Sequence, residues 1–301
     1  MAKATYPDYD FQSRFVTVDG YRMHYVDEGK GETILMLHGN PAWSYLYRHF
    51  INGLKDRYRC VAPDHIGFGF SEKSANADLS MRAQIMRLGS FVDKLGLEDI
   101  TLVVQDWGGI IGLGWAARNK SRIKRLVIMN TAGFMPDTPS DLLKMRPFPW
   151  GLFLLYPLKI PVLGELFVQG FNGFVKYLIP LGISHKERLT DEVMRGYSDP
   201  YPTWHSRRAH LESCRQIPMT PSDPVWKLLV ETGAEMTDWY IPTQIIWGMD
   251  DPVFVPWFLE EFERRLMNRA PTLKIPGSSH FLQDATPNLI IARIRQFIEF
   301  T

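Results

Sequence analysis

Residues 100–109 read ITLVVQDWGG. The run Ile100–Val104 is apolar and β-branched, the composition of a strand buried on both faces. It leads straight into Asp106, Trp107 and two glycines, Gly108 and Gly109, and Gly109–Ala117 then reads as a helix. A strand, a sharp turn with small residues and a helix together lift one side chain above the end of a sheet. Here that side chain is the carboxylate of Asp106. Val104 stands where a serine-nucleophile turn would carry glycine, so the pattern suits an aspartate nucleophile better. An aspartate before a helix also serves as a simple cap, so the assignment rests on what surrounds it.

Working outward, Tyr21–Val26, Thr33–Leu37 and Arg59–Ala62 read as strands, and Trp43–Leu54 as a helix. Met81, Ile85, Leu88, Val92 and Leu95 fall on one face of a helix over Leu79–Leu95. Ile123–Met129 is a further strand. This β-α-β-α-β order predicts an α/β protein with a mostly parallel sheet covered by helices on both faces. From about Met135 to Gly233 the chain turns aromatic, proline-rich and helix-like. The alternation resumes with the strands Thr243–Trp247 and Thr272–Ile275 and the helices Pro256–Met267 and Asn288–Phe300. The expectation is a core of residues 1–134 and 234–301, with residues 135–233 inserted as a helical cap over the carboxyl ends of the strands, where such sheets place their sites.

The 301 residues are 45% hydrophobic and 22% charged, with a net charge of +1. That balance gives nucleic acid or an acidic membrane no bulk attraction. Cys60 and Cys214 are read as reduced structural thiols rather than a disulfide framework. The start, MAKATYPDYD, lacks the apolar core of a secretory signal. The longest apolar stretch, Trp150–Ile183, is broken by Lys159, Glu165 and Lys176 and by Pro157, Pro161 and Pro180. No membrane span is expected, and a cytoplasmic location is the default.

Three further segments supply chemistry. His280 follows the last strand, in PGSSHFLQD, and the order nucleophile, acid, histidine is that of α/β hydrolases. The acid should follow a strand end. Asn130, after Ile123–Met129, cannot ionise, which leaves the pair Asp250-Asp251 after Thr243–Trp247. The loop LHGNPAWSYLYR after Thr33–Leu37 offers a backbone N–H to an oxyanion. Asn40 in that loop and Trp107 both carry side-chain N–H donors. Two such donors without a cation suit a large, weakly hydrated anion.

HGNPAWSYLYR, CVAPDHIGFGFSEK, VVQDWGG, WGMDDPVF and SSHFLQD, taken in this order, resemble the haloalkane dehalogenase branch of the α/β hydrolases across almost the whole core. The resemblance implies the α/β-hydrolase fold, with Asp106 as nucleophile, His280 as base, Asp251 as acid, and Asn40 with Trp107 as the halide clamp. It implies no cofactor and no metal. Epoxide hydrolases share a similar elbow but usually place an aromatic residue where this chain has Asn40. The cap segments GFNGFVKYLIPLGI, SDPYPTW and RQIPMTPSDPVWKLL look most like the β-lactone decarboxylases of bacterial long-chain olefin biosynthesis, relatives that keep the same triad and clamp.

The implied substrate is small and apolar, a haloalkane or a β-lactone. In the lactone case, association with other enzymes of an olefin pathway would follow. A catalytically inactive binding protein is the remote alternative, disfavoured because every catalytic position holds a competent residue. Phe174 and Leu178, four apart in the apolar cap stretch, and Phe281 and Leu282, beside His280, are expected to line a dry cavity.

Overall fold

The computed structural model describes residues 6–135, 151, 155–237 and 239–301. Its centre is an eight-stranded sheet. The strands are β1 (Arg14–Val18), β2 (Tyr21–Glu28), β3 (Thr33–Leu37), β4 (Arg59–Pro63), β5 (Ile100–Gln105), β6 (Ile123–Met129), β7 (Thr243–Gly248) and β8 (Leu273–Ile275). Their spatial order is β1-β2-β4-β3-β5-β6-β7-β8. β1 and β2 form an antiparallel hairpin, β2 joins β4 antiparallel, and the remaining pairs are parallel.

Side chains along the central strands alternate between two cores, as the period of a strand requires. Leu102 and Val104 of β5 join Leu35 and Leu37 of β3 beneath α2 (Met81–Leu95) and α3 (Trp107–Ala116). Val103 joins Ile34 and Met36 on the opposite face, beneath α1 (Arg48–Leu54) and the C-terminal helix Pro287–Glu299. Both faces are therefore covered, which is why these strands read as continuous apolar runs rather than alternating ones.

Most element ends fall within two residues of the sequence reading, and three differences stand out. β1 is not among the expected strands; it is a short edge strand of five residues, with Phe15 42% exposed. The segment expected as one helix over Trp43–Leu54 opens as a 3-10 turn, Ser44–Tyr47, before α1. α3 begins at Trp107 rather than Gly109, because Asp106 takes the whole turn on itself.

Between β6 and β7 every described element is helical. Glu165–Gly170 and Phe174–Leu178 are π-helical segments, followed by the single turn Ile179–Gly182. Longer helices follow at Asp191–Ser198, Arg208–Arg215 and Pro224–Glu235. The last of these packs on α3, and its Val225, Trp226, Leu228 and Leu229 belong to the cluster that covers the sheet. We therefore propose that the cap ends before Pro224. Residues 136–150 and 152–154, which follow the expected start at Met135, lie outside the described residues. A buried cluster fastens the insertion to the core: Asp284 pairs with Arg48 of α1 at 2.6 Å and accepts from the Tyr197 hydroxyl at 2.5 Å. Among the described residues no helix is long and apolar enough to cross a membrane.

Candidate active site

Asp106 sits at φ 51°, ψ −132°, a conformation that a non-glycine residue adopts at a cost of about 1–3 kcal/mol. The surroundings hold it there. Asp106 N–H donates to Asn130 O at 3.0 Å, and the Asp106 carbonyl accepts from Gly109 N at 2.9 Å and from the Thr131 hydroxyl at 2.6 Å. The elbow also lies hard against the end of β3. A Cβ on Gly108 would sit 2.1 Å from Leu37 O, and one on Gly39 would sit 2.0 Å from Asp106 Oδ1. Only glycine lets the two loops approach this closely.

The Asp106 carboxylate accepts the Asn40 backbone N–H at 2.7 Å and the Trp107 backbone N–H. Burial raises its pKa above the usual carboxylate value, and the His280 charge and these two N–H groups offset only part of that. Asp106 is thus a carboxylate short of water and short of counter-charge, the condition of a reactive oxygen nucleophile.

His280 lies opposite. Its Nδ1 donates to Asp251 Oδ2 at 2.9 Å, and its Nε2 stands 3.7 Å from Asp106 Oδ2. Burial by itself would lower the His280 pKa. Asp251, through charge and hydrogen bond, and then Asp106 outweigh it and hold His280 above the ordinary histidine value. The structure separates the two candidate acids. Asp250 is exposed, whereas Asp251 is buried, with Oδ1 accepting the N–H groups of Val253 at 2.8 Å and Phe254 at 3.1 Å.

Two residues the sequence reading did not give a part complete this arrangement. Asn130, set aside because it cannot ionise, donates to Asp251 Oδ2 at 3.0 Å and to Gly248 O at 2.9 Å, while Gly248 N–H donates to its Oδ1 at 2.8 Å. It locks the acid to the end of β7. Gln105, the last residue of β5, places its side-chain Nε2 3.1 Å from His280 Nε2 and 3.2 Å from His280 O. Nothing in the pattern of a buried strand marks either side chain; only the pairing of β6 with β7 and the return of the His280 loop bring them to their partners.

A cavity of about 180 Å³ opens above these groups. Asn40, Asp106, Trp107, Phe174, Leu178, His280 and Phe281 line it, together with Leu181, Cys214, Ile217 and Val253. The Asn40 amide donates to His210 O at 3.3 Å, which fixes which way it faces. Leu282 is a correction: it does not line the cavity. The chain enters a short helix at Leu282, and this side chain turns down into the core with Ile290 and Ile294.

Residues 32–170 match the model of the alpha/beta hydrolase fold family. The chain is 37% identical to the cis-3-alkyl-4-alkyloxetan-2-one decarboxylase of Xanthomonas campestris, over 98% of each chain. Haloalkane dehalogenase 2 of Mycobacterium bovis is 36% identical, covering 95% of this chain and 94% of the relative. The chain belongs to the haloalkane dehalogenase branch of the α/β-hydrolase superfamily. The crystal structure of an ancestral haloalkane dehalogenase superposes with a TM-score of 0.85 at 30% identity, covering 95% of this chain and 98% of that one. The protein is therefore an enzyme whose relatives include both hydrolytic dehalogenases and β-lactone decarboxylases.

Proposed function

We propose that this enzyme is a dehalogenase-type hydrolase in which Asp106 displaces a halide from a saturated carbon. The observation that carries the reading is the desolvated Asp106 carboxylate, held by two backbone N–H groups beneath an apolar cavity that also receives the Asn40 and Trp107 side chains. A carboxylate is already ionised at neutral pH and needs no base to attack. The new C–O bond forms as the carbon–halogen bond breaks, leaving an alkyl ester on Asp106. Asn40 and Trp107 donate N–H groups to the departing anion as its charge grows. His280 Nε2 then takes a proton from water, and the hydroxide attacks the ester carbonyl. Asp251 holds the ring in its Nδ1–H form and stabilises the imidazolium. The products are an alcohol, a halide and a proton.

A second reading has its own support in the decarboxylase relative and in the cap segments. An oxetan-2-one is a β-lactone. On such a ring Asp106 would open the carbon–oxygen bond, with the released carboxylate in place of the halide. Loss of carbon dioxide would then break the carbon–carbon bond, form the alkene and expel Asp106 as a carboxylate. That route consumes no water.

The test is His280→Ala mixed with a 1-bromoalkane and, separately, with a cis-dialkyl β-lactone, read by intact-protein mass. The dehalogenase reading expects an adduct heavier by the alkyl group, mapped to Asp106, because His280 acts only after the ester has formed. Wild-type enzyme should release alcohol and bromide. Alkene and carbon dioxide from the lactone, with no bromide from the haloalkane, would transfer the enzyme to the second reading. Absence of any adduct, with Asp106→Asn fully active, would refute both.

A further inference from the structure

Gln105 is fully buried at the tip of β5, one residue before the nucleophile. Its amide nitrogen reaches both the ring Nε2 and the carbonyl of His280, at 3.1 and 3.2 Å. Its Oε1 is buried without a partner. The carbonyl fixes the orientation, because turning the amide over would set two oxygens against each other at that distance. Nδ1 of His280 already donates to Asp251. Nε2 must therefore be the acceptor, with its lone pair facing a Gln105 N–H.

We propose that Gln105 is a positioning residue that holds His280 as the neutral Nδ1–H tautomer and opposes its protonation in the free enzyme. Among the described residues, the charged groups facing this ring are Asp251, from the loop after β7, and Asp106, from the elbow. Both are carboxylates, and both favour the imidazolium. A protonated His280 would place its charge 3.7 Å from Asp106 Oδ2 and hold the nucleophile in an ion pair. Against this the Gln105 amide presents a donor to a donor. It leaves the neutral ring, with Asp106 unpaired, as the resting state. The unpartnered Oε1 is what this costs: an amide used only through its nitrogen, in a place where a flip would serve the charged ring and strand the carbonyl.

This inference rests on the roles proposed above for Asp106 and His280, and the test keeps the two apart. The acid limb of kcat/KM reports groups of the free enzyme. Gln105→Met keeps the side chain's length and removes the donor. Its limb should rise by about one pH unit, the size of one hydrogen bond. Gln105→Glu adds a third carboxylate beside the ring and should raise the limb further. A side chain that only fills space would, on substitution by methionine, lower the melting temperature and leave the limb where the wild type has it; that result overturns the proposal. Should Gln105→Met not fold, Gln105→Leu, which also removes the donor without adding charge, decides in its place. His280→Ala is the control. If it forms no ester, the proposed function itself fails. If it forms ester while the Gln105 variants keep the wild-type limb, only the role of Gln105 falls.

Discussion

Replacing Trp107 by phenylalanine keeps an aromatic ring against the cavity and removes a single N–H. Asn40, the other donor, has its amide engaged with His210 O at 3.3 Å and Cys214 Sγ at 3.8 Å. The indole is therefore the less committed of the two, and the leaving anion should depend on it more. Loss of one donor aimed at developing charge typically costs about 3 kcal/mol of barrier, which is about a hundredfold in rate. The loss belongs to the step that expels the anion, so it should appear in single-turnover halide release. It should be larger for a 1-chloroalkane than for a 1-bromoalkane, since chloride is the poorer leaving group and leans harder on the clamp. The ring of Trp107 is only 9% exposed and its face packs in the core, so a melting curve close to that of the wild type is the check that the fold survives. Halide release by Trp107→Phe within about twofold of wild type, for both halides, would refute the clamp.

The acid limb of wild-type kcat/KM should lie above the ordinary histidine value of about 6.5. Asp251 and Asp106 raise the pKa of His280, and activity is lost as falling pH protonates it; a limb below that value in a pH–rate profile would contradict the pairing. Phe174 lines the cavity and also packs against Leu211 and Val168 in the cap. Phe174→Ala should shift the ratio of kcat/KM toward longer 1-haloalkanes, measured across a chain-length series. A drop in melting temperature with an unchanged ratio would assign Phe174 to cap packing alone.

The residues that declared themselves in the sequence are those whose constraint is local. Ile100–Val104 is buried on both faces, so its composition alone marks a central strand. Gly108 is required by the approach to Leu37 O, and that need leaves a glycine in the sequence for anyone to read. Asp106 and His280 stand at strand ends, where chain order already indicates position. What stayed hidden depends on distant partners. Asn130 shows its purpose only once β6 pairs with β7, and Gln105 only once the His280 loop returns across β5. Leu282 shows the reverse error. Adjacency to His280 along the chain suggested adjacency to the cavity, but only Phe281 reaches it; Leu282, where a helix begins, lies wholly in the core cluster that Phe281 also joins.

The charges of the site fit a reaction in two halves. In the free enzyme two carboxylates, Asp106 and Asp251, act on one imidazole. In the proposed reaction, forming the alkyl ester would neutralise Asp106 and remove one of the two charges that raise the His280 pKa. The imidazole then becomes a weaker base, and more securely neutral, at the point where a neutral base is needed to deprotonate water. Asp251 lies outside the cavity lining, where it would not be alkylated, and is held in place by Asn130 and two backbone N–H groups. It remains to stabilise the imidazolium formed in the second half. When the ester is hydrolysed the Asp106 carboxylate reappears beside that imidazolium. Their attraction then holds the proton until it passes to solvent, and the neutral ring returns to the Gln105 amide. Proton release should therefore lag alcohol formation in a single turnover, and the lag should shorten as pH rises. A stopped-flow trace with a pH indicator, set beside rapid-quench sampling of the alcohol, reads both. Simultaneous release at every pH would mean that the proton never rests on His280, and the division of labour between the two carboxylates would have to be redrawn.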